Sequence, residues 1–296
     1  MSPDPALLFN RLLAYRSREQ LARMDDGERA RLFAEIAARG PSKEAWDAIY
    51  ELFALWPAGA ARTAHIDAAG HALAAWDDAL RFKTSDARSL YERDGLSELA
   101  GLVKSIEVYR RDQYGASELR AIVTSPQASR LTRLAIRRSD IGAAWNDLVA
   151  SPHLRNLEHL HVAKTDIQDE GLRSLLQTAN LPRLCCLKLT EVGLKAAALD
   201  GVRQSIPFAQ LRRLDLSENF LRDEGAAILA HAPWLGTIEK LSLAGNGITA
   251  AAVLALLQSP HCARLQALDV TGNPVTGADK SALVSRAQQM GIDLRV

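Results

Sequence analysis

At 296 residues, with 48% apolar and 24% charged residues, the chain is composed like one large or two ordinary globular domains and unlike a disordered segment. Its net charge of +1 excludes a global field that would direct it to nucleic acid or to a membrane surface. Three cysteines, two of them adjacent at Cys185 and Cys186, do not make a disulfide framework. The opening Met-Ser-Pro-Asp-Pro is unlike a signal peptide, and the longest uncharged run, 241–263, contains Asn246, Gln258 and Pro260 and is no membrane span. A cytoplasmic location without a membrane partner is expected.

Residues 1–95 read as helices. Asp4-Pro5 opens a helix with Leu8, Leu12 and Tyr15 on one stripe, and Ser17 with Gln20 makes a capping box for a second. Asp25 with Glu28 makes another box, for a helix carrying Leu32, Phe33 and Ile36 that stops at Gly40-Pro41. Ser42 caps a segment whose Trp46, Ile49, Tyr50 and Phe53 recur at helical spacing until Pro57. A last Ala-rich helix is expected near residues 60–80, with Ile66, Leu73 and Leu80 on one side. Trp46, Trp56 and Trp76 fall here at positions that point to core.

From residue 96 onward the chain repeats. The pattern L-x-x-L-x-L-x-x-N-x-L is complete at Leu211-Leu214-Leu216-Asn219-Leu221, and recurs at Ile238-Leu241-Leu243-Asn246-Ile248 and Leu265-Leu268-Val270-Asn273-Val275. Earlier copies keep the apolar positions without the Asn: Leu184-Leu187-Leu189-Leu194, Leu157-Leu160-Val162-Ile167, Leu131-Leu134-Ile136-Ile141 and, most faintly, Val103-Ile106-Val108. Successive copies start 28, 26, 27, 27, 27 and 27 residues apart. The two central apolar residues of each copy lie two apart and so share one face of a strand. A single copy cannot bury that face, whereas stacked copies share a continuous core.

The segment after each strand reads as a helix. Asp169 and Asp223 are expected to act as N-caps, Thr249 and Thr276 open later helices, and Ser-Pro or Ala-Pro turns follow. Strand, turn, helix and turn in 27 residues predict parallel strands inside and helices outside, curved into a horseshoe. Residues 292–296 could add an edge strand. Because Asn residues occur only in the last three copies, the C-terminal half is expected to be the more regular.

This pattern resembles the leucine-rich-repeat proteins, and by its period and helical outer side the ribonuclease-inhibitor-like class. The helices ahead of it resemble those found before such repeats in bacterial proteins. The fold class implied is α/β: a leucine-rich-repeat solenoid over residues 96–296 preceded by an all-α capping domain over residues 1–95. The resemblance implies a scaffold that binds a macromolecular partner through the concave strand face, and names no partner.

Three clusters invite chemistry. Gly245-Asn246-Gly247-Ile248-Thr249-Ala250 matches the dinucleotide fingerprint G-x-G-x-x-A after a strand and before a helix, although Asn246 and Ile248 are already repeat positions. His159 and His161, with Cys186 on the next strand, have a spacing that can hold a metal, but no third ligand is fixed. No nucleophile motif occurs, so neither an enzyme nor a cofactor is expected; a metal- or nucleotide-dependent enzyme is the alternative these clusters leave. The third cluster is basic: residues 104–138 hold eight Lys or Arg against three acids, while later repeats are mixed. The expected partner-binding residues are Tyr109, Arg110, Arg133, Arg137, Arg138, His159, His161 and Lys188, facing an acidic protein of unassigned identity. Nucleic-acid binding through Arg133, Arg137 and Arg138 is a second alternative, disfavoured by the scarcity of interleaved aromatics. The chain is expected to be a monomer.

Overall fold

The structure, a computed structural model, describes residues 21, 23–84, 90–92, 95–109, 114–202 and 206–296. The helices expected before residue 21 lie outside them. Helix α1, Asp26–Ala37, opens on the anticipated box: Asp25 accepts from the Glu28 amide at 2.7 Å, and the Glu28 carboxylate accepts from the Asp25 amide at 3.0 Å. Ser42 accepts from the Ala45 amide at the start of α2, Lys43–Ala54. Helix α3, Ala60–Ala72, ends earlier than the spacing suggested, leaving Leu80 half-buried while Ile66 and Leu73 are buried. Trp46, Trp56 and Trp76 are buried, with the Phe53 ring stacked on Trp56 at 5.3 Å. These aromatics are core, as their spacing predicted.

The stretch expected to be wholly helical nevertheless ends in strands. Phe82–Thr84 (β1) pairs in parallel with Ser105–Tyr109 (β4), and Tyr91–Glu92 (β2) forms a small antiparallel pair with Gly95–Leu96 (β3). The repeat pattern misses β1 because Lys83 stands where a leucine is expected. The helices explain that exception: the Lys83 ammonium lies 2.9 Å from Asp47 and 4.4 Å from the Tyr50 ring centroid, both on α2. The Trp46 indole donates to the Phe82 carbonyl at 3.0 Å. Arg81 is buried and donates from Nε and Nη2 to the Leu102 carbonyl at 2.9 and 2.7 Å.

Beyond β1 the parallel sheet runs in chain order through β4, Arg133–Arg137 (β5), His159–Ala163 (β6), Cys186–Thr190 (β7), Arg213–Asp215 (β8), Lys240–Ser242 (β9), Ala267–Asp269 (β10) and Asp293–Arg295 (β11). Among the described residues, nine strands make this one sheet. Its register is the one the repeats predict: Leu134, Leu160, Leu187, Leu214, Leu241 and Leu268 form one buried row across it. The outer segments are helical: Tyr114–Val123 (α4), Ala144–Ala150 (α5), Gln168–Leu175 (α6), Arg222–Ala230 (α7), Ala250–Leu257 (α8) and Gly277–Gln289 (α9), with a 3-10 segment, Ala196–Val202, between α6 and α7. No helix among the described residues is long and apolar enough to cross a membrane.

The Asn positions satisfy the backbone of the bends. The Asn219 amide donates to Leu189 and Leu216 carbonyls at 2.8 and 2.9 Å, while its oxygen accepts from the Val192 and Leu194 amides, both at 3.1 Å. Asn273 repeats the arrangement towards Leu243, Val270, Asn246 and Ile248. A buried polar side chain is tolerable only when bonded in this way. In earlier copies Ser139 and Thr165 occupy the position, and each makes shorter-range bonds to the carbonyl two residues back. The later repeats are therefore the more regular in their asparagine turns. Their strands are not longer: three residues in β8 to β10 against five in β4 to β7.

Two of the expected N-caps are corrected. Asp169 and Asp223 lie inside α6 and α7, whose N-cap positions are Ile167 and Leu221. Each carboxylate reaches forward instead: Asp169 accepts from the Lys195 amide at 2.9 Å, and Asp223 from the Thr249 amide and hydroxyl at 2.7 and 2.8 Å. These acids tie one repeat to the next rather than closing their own helix.

If this register holds the fold, Leu241→Ala should cost about 2–5 kcal/mol by opening a cavity in the shared row. Lys240→Ala, on the exposed face one residue before, should change stability by less than about 0.5 kcal/mol. Urea denaturation of the two variants checks both; equal losses would place the wrong residue inside.

Candidate partner-binding face

Alternate strand residues face away from the helices in rows fixed by the parallel register. The first row runs Ser105, Arg133, His159, Cys186, Arg213, Lys240, Ala267 and Asp293. The second, two residues along each strand, runs Glu107, Ala135, His161, Lys188, Asp215, Ser242, Asp269 and Arg295. Between and beyond them the inward residues are buried, so these rows are the solvent side of the sheet. An open groove lies over β5 to β11, lined from the two rows by Arg133, His159, Lys188, Arg213, Asp215 and Lys240 among others.

Of the expected binding residues, Tyr109, Arg133, Arg137, His159, His161 and Lys188 come together on this face. Tyr109 is 47% exposed and pairs in register with Arg137. Arg138 is exposed on the turn beyond β5, with φ +50°, and Arg110 lies outside the described residues.

Their charges are unequal in availability. Arg137 is engaged: its Nε lies 3.0 Å from Glu107, and its Nη2 donates to His161 Nδ1 at 3.3 Å. Since a guanidinium can only donate, His161 must present an unprotonated Nδ1 there. Lys188 lies 4.0 Å from Asp215. Arg133, Arg213 and Lys240 meet no described acid within ion-pair distance, and Arg133 Nε is buried with no acceptor. The free cations thus extend into the later repeats, although the count of basic residues pointed to the early ones, because a count does not show which cations are already paired. Arg213 and Lys240 occupy the same repeat column as Arg133, and that column was the available signal.

Both histidines are neutral at physiological pH. Burial, followed by Arg133 and Arg213 and then Lys188, pushes His159 down to about 4 against the pull of Asp78. Burial, then Arg137 and Lys188, pushes His161 down to about 4 against Asp215. Burial raises the thiols of Cys185 and Cys186 above their ordinary value, so neither is a ready thiolate. His159 stands beside Cys186 in register, whereas His161 has the cations Lys188 and Arg137 as neighbours, which oppose a metal. Among the described residues no three His, Cys, Asp or Glu side chains converge.

The glycine motif is likewise explained by the turn. Arg138, Lys164, Glu191, Glu218, Gly245 and Gly272 form one column of left-handed residues after the strands, with φ between +50° and +71°. The amide of Gly245 donates to the Thr271 carbonyl at 2.9 Å, as Glu218 does to Ala244 at 2.7 Å. A Cβ on Gly245 would collide with the Glu218 carboxylate at 2.5 Å. A carboxylate held this close to the turn opposes an anion there.

Residues 153–176 and 210–230 match the family described as Leucine Rich repeat, and the rows above continue the same pattern along the sheet. Those two segments are leucine-rich repeats, and the chain has an α/β fold like that of leucine-rich-repeat proteins. Solved structures similar to it include an internalin from Listeria monocytogenes, at 18% identity and TM-score 0.41 over 67% of this chain and 49% of that one. A Bacteroides fragilis protein aligns at 12% identity and TM-score 0.47, over 68% and 67% of the two chains. A leucine-rich-repeat protein of Leptospira interrogans aligns at 16% and 0.35, over 69% and 58%. The chain thus spans about half the length of the internalin it matches. No curated protein matches the chain.

The two neutral histidines make the repeats pH-sensitive in a defined direction. Each has a folded value near 4 and an unfolded value near 6.5, so between these limits the unfolded chain binds protons that the folded chain refuses. Stability from this source is complete above about pH 6.5 and is lost as pH falls towards 4. The urea midpoint should therefore drop between pH 7 and 5, and the double variant His159→Gln, His161→Gln should flatten that drop. Asp47, whose value is lowered by Lys43 and Lys83 despite the opposing effect of burial, acts only at lower pH. Parallel curves for the double variant and the parent would show that the histidines do not carry the effect.

Proposed function

We propose that the chain is a non-catalytic scaffold of the ribonuclease-inhibitor-like class, which acts as a monomer and binds an acidic protein through its strand face. The observation that carries this reading is the first row of that face, where Arg133, Arg213 and Lys240 are aligned and no acid among the described residues lies within ion-pair distance of them. Unpaired cations on a rigid groove attract and orient an acidic partner, and mainly accelerate its encounter. Tyr109, exposed at the margin beside Arg137, offers an aromatic anchor of the kind that often concentrates interface energy. The 27-residue period and helical outer segments support the class.

The N-terminal helices fit a capping role over residues 1–95, because an open solenoid end exposes an apolar layer. Supporting this, Trp46, Asp47 and Tyr50 of α2 all contact β1, and Arg130 in the repeats pairs with Asp67 of α3 at 2.7 Å. Three free cysteines, Cys185, Cys186 and Cys262, suit a reducing cytoplasm.

Capture from lysate of the source organism tests the binding face. Arg213→Glu should reduce the captured partner by about tenfold while leaving the thermal midpoint nearly unchanged. Lys280→Glu makes the same charge change on exposed α9, away from the strands, and should have no effect. Raising salt should slow association of the parent more than it speeds dissociation. Equal losses for the two variants would reject the strand face as the binding surface.

A further inference from the structure

We propose that the groove receives an extended segment of the partner that crosses the strands and carries carboxylates at positions i, i+4 and i+6. This rests on the strand-face reading above and specifies what that face recognises. Neighbouring strands stand about 4.8 Å apart. Arg133 on β5 and Arg213 on β8 are three strands apart, so their backbones lie about 14 Å apart, and Lys240 is one strand further, at about 19 Å. An extended chain rises about 3.3 Å per residue and returns to the same side every second residue. Positions i, i+4 and i+6 then fall at about 0, 13 and 20 Å, all on one side, which matches the three cations. A helix cannot make this match: at 1.5 Å per residue the first gap takes about nine residues, which turns the second carboxylate to the opposite face.

The rest of the groove agrees with such a segment. His159 and Cys186 stand between Arg133 and Arg213 in the same row, and both are uncharged, which suits a small neutral residue at i+2. The second row, about 7 Å along the strands from the first, is mixed in the later repeats: Asp215 stands beside Lys188, and Asp269 beside Arg295. An extended segment placed edge-on sends its odd-numbered side chains towards that row, where lysine, serine or threonine fits. A nucleic acid carries only negative charge and leaves Asp215 and Asp269 of the second row without a cation to meet them. The face favours a peptide of mixed charge over a uniform polyanion.

The probe is a fluorescein-labelled nonapeptide, Ser-Glu-Ser-Ala-Lys-Glu-Lys-Glu-Ser, titrated with the full chain by fluorescence anisotropy at low salt. An isomer of the same composition, with its glutamates at i, i+1 and i+3, tests the register, and a nine-nucleotide oligothymidylate tests the polyanion. The nonapeptide should bind about tenfold more tightly than its isomer, and Arg133→Glu and Arg213→Glu should each weaken it about tenfold. Arg133→Gln, which keeps most of the side-chain stem, should act in the same direction and guards against a folding defect. Equal binding of the two peptides, tighter binding of oligothymidylate, or no binding of the nonapeptide would overturn the proposal. If the peptide fails while Arg213→Glu still depletes the captured partner, the extended acidic segment is wrong and the strand face remains the binding surface. If neither assay responds to Arg213→Glu, both are wrong.

Discussion

No repeat in this chain can bury its own apolar side, and that constraint governs the rest of the structure. A strand as short as Arg213–Asp215 presents one inward leucine within its bounds, and Leu214 is buried because Leu187 and Leu241 flank it in register. The parallel ladder that joins these strands also fixes every exposed residue. Once Leu214 is placed between Leu187 and Leu241, Arg213 has to stand between Cys186 and Lys240. The exposed strand face is therefore a by-product of the core. Its side chains are free to vary, but their spacing is dictated by hydrogen-bond geometry.

The first end of the ladder is where that logic needs a substitute for a neighbouring repeat. Arg81 supplies part of it, donating twice to the Leu102 carbonyl from a position with almost no solvent exposure. Burial lowers its pKa, aided by Arg130 and opposed by Asp78. A buried guanidinium is tolerable only when its donors are bonded, and carbonyl oxygens at a chain bend are acceptors that would otherwise stay unpaired. Lys83, two residues on, supplies another part, where an aromatic ring and a carboxylate replace the leucine contact. At the far end β11 carries Asp293 and Arg295 on its exposed positions, and charges on an edge strand discourage further pairing.

Much of this could be read in the residues, and what could not has physical reasons. The register of β4 to β10 follows from leucine spacing because burial enforces a period that composition cannot hide. The asparagine turns follow because a buried amide has few ways to be satisfied. Strand β1 escaped because Lys83 breaks the apolar pattern, and only the fold brings Asp47 and Tyr50 to it. Asp169 and Asp223 looked like caps because an acid at a helix start has that role locally; the bonds to Lys195 and Thr249 connect residues about one repeat apart. The candidate site was visible as columns but not as free charge. Nothing in the local run around Arg137 shows that Glu107, one strand away, holds it.

That distinction between charge present and charge available decides what the face can do. The chain as a whole is nearly neutral, and the early repeats look the most basic by count. Yet Arg137 already faces Glu107, Lys188 lies near Asp215, and burial keeps His159 and His161 from contributing positive charge. Along the first row, what remains is a line of three cations, Arg133, Arg213 and Lys240, facing a row of mixed charge. Such a line carries direction as well as attraction: it rewards a ligand whose charge is distributed in step with the strands and penalises one whose charge is uniform. Held on side chains anchored by a packed sheet, the pattern is available before any partner arrives, so little ordering of the protein opposes binding.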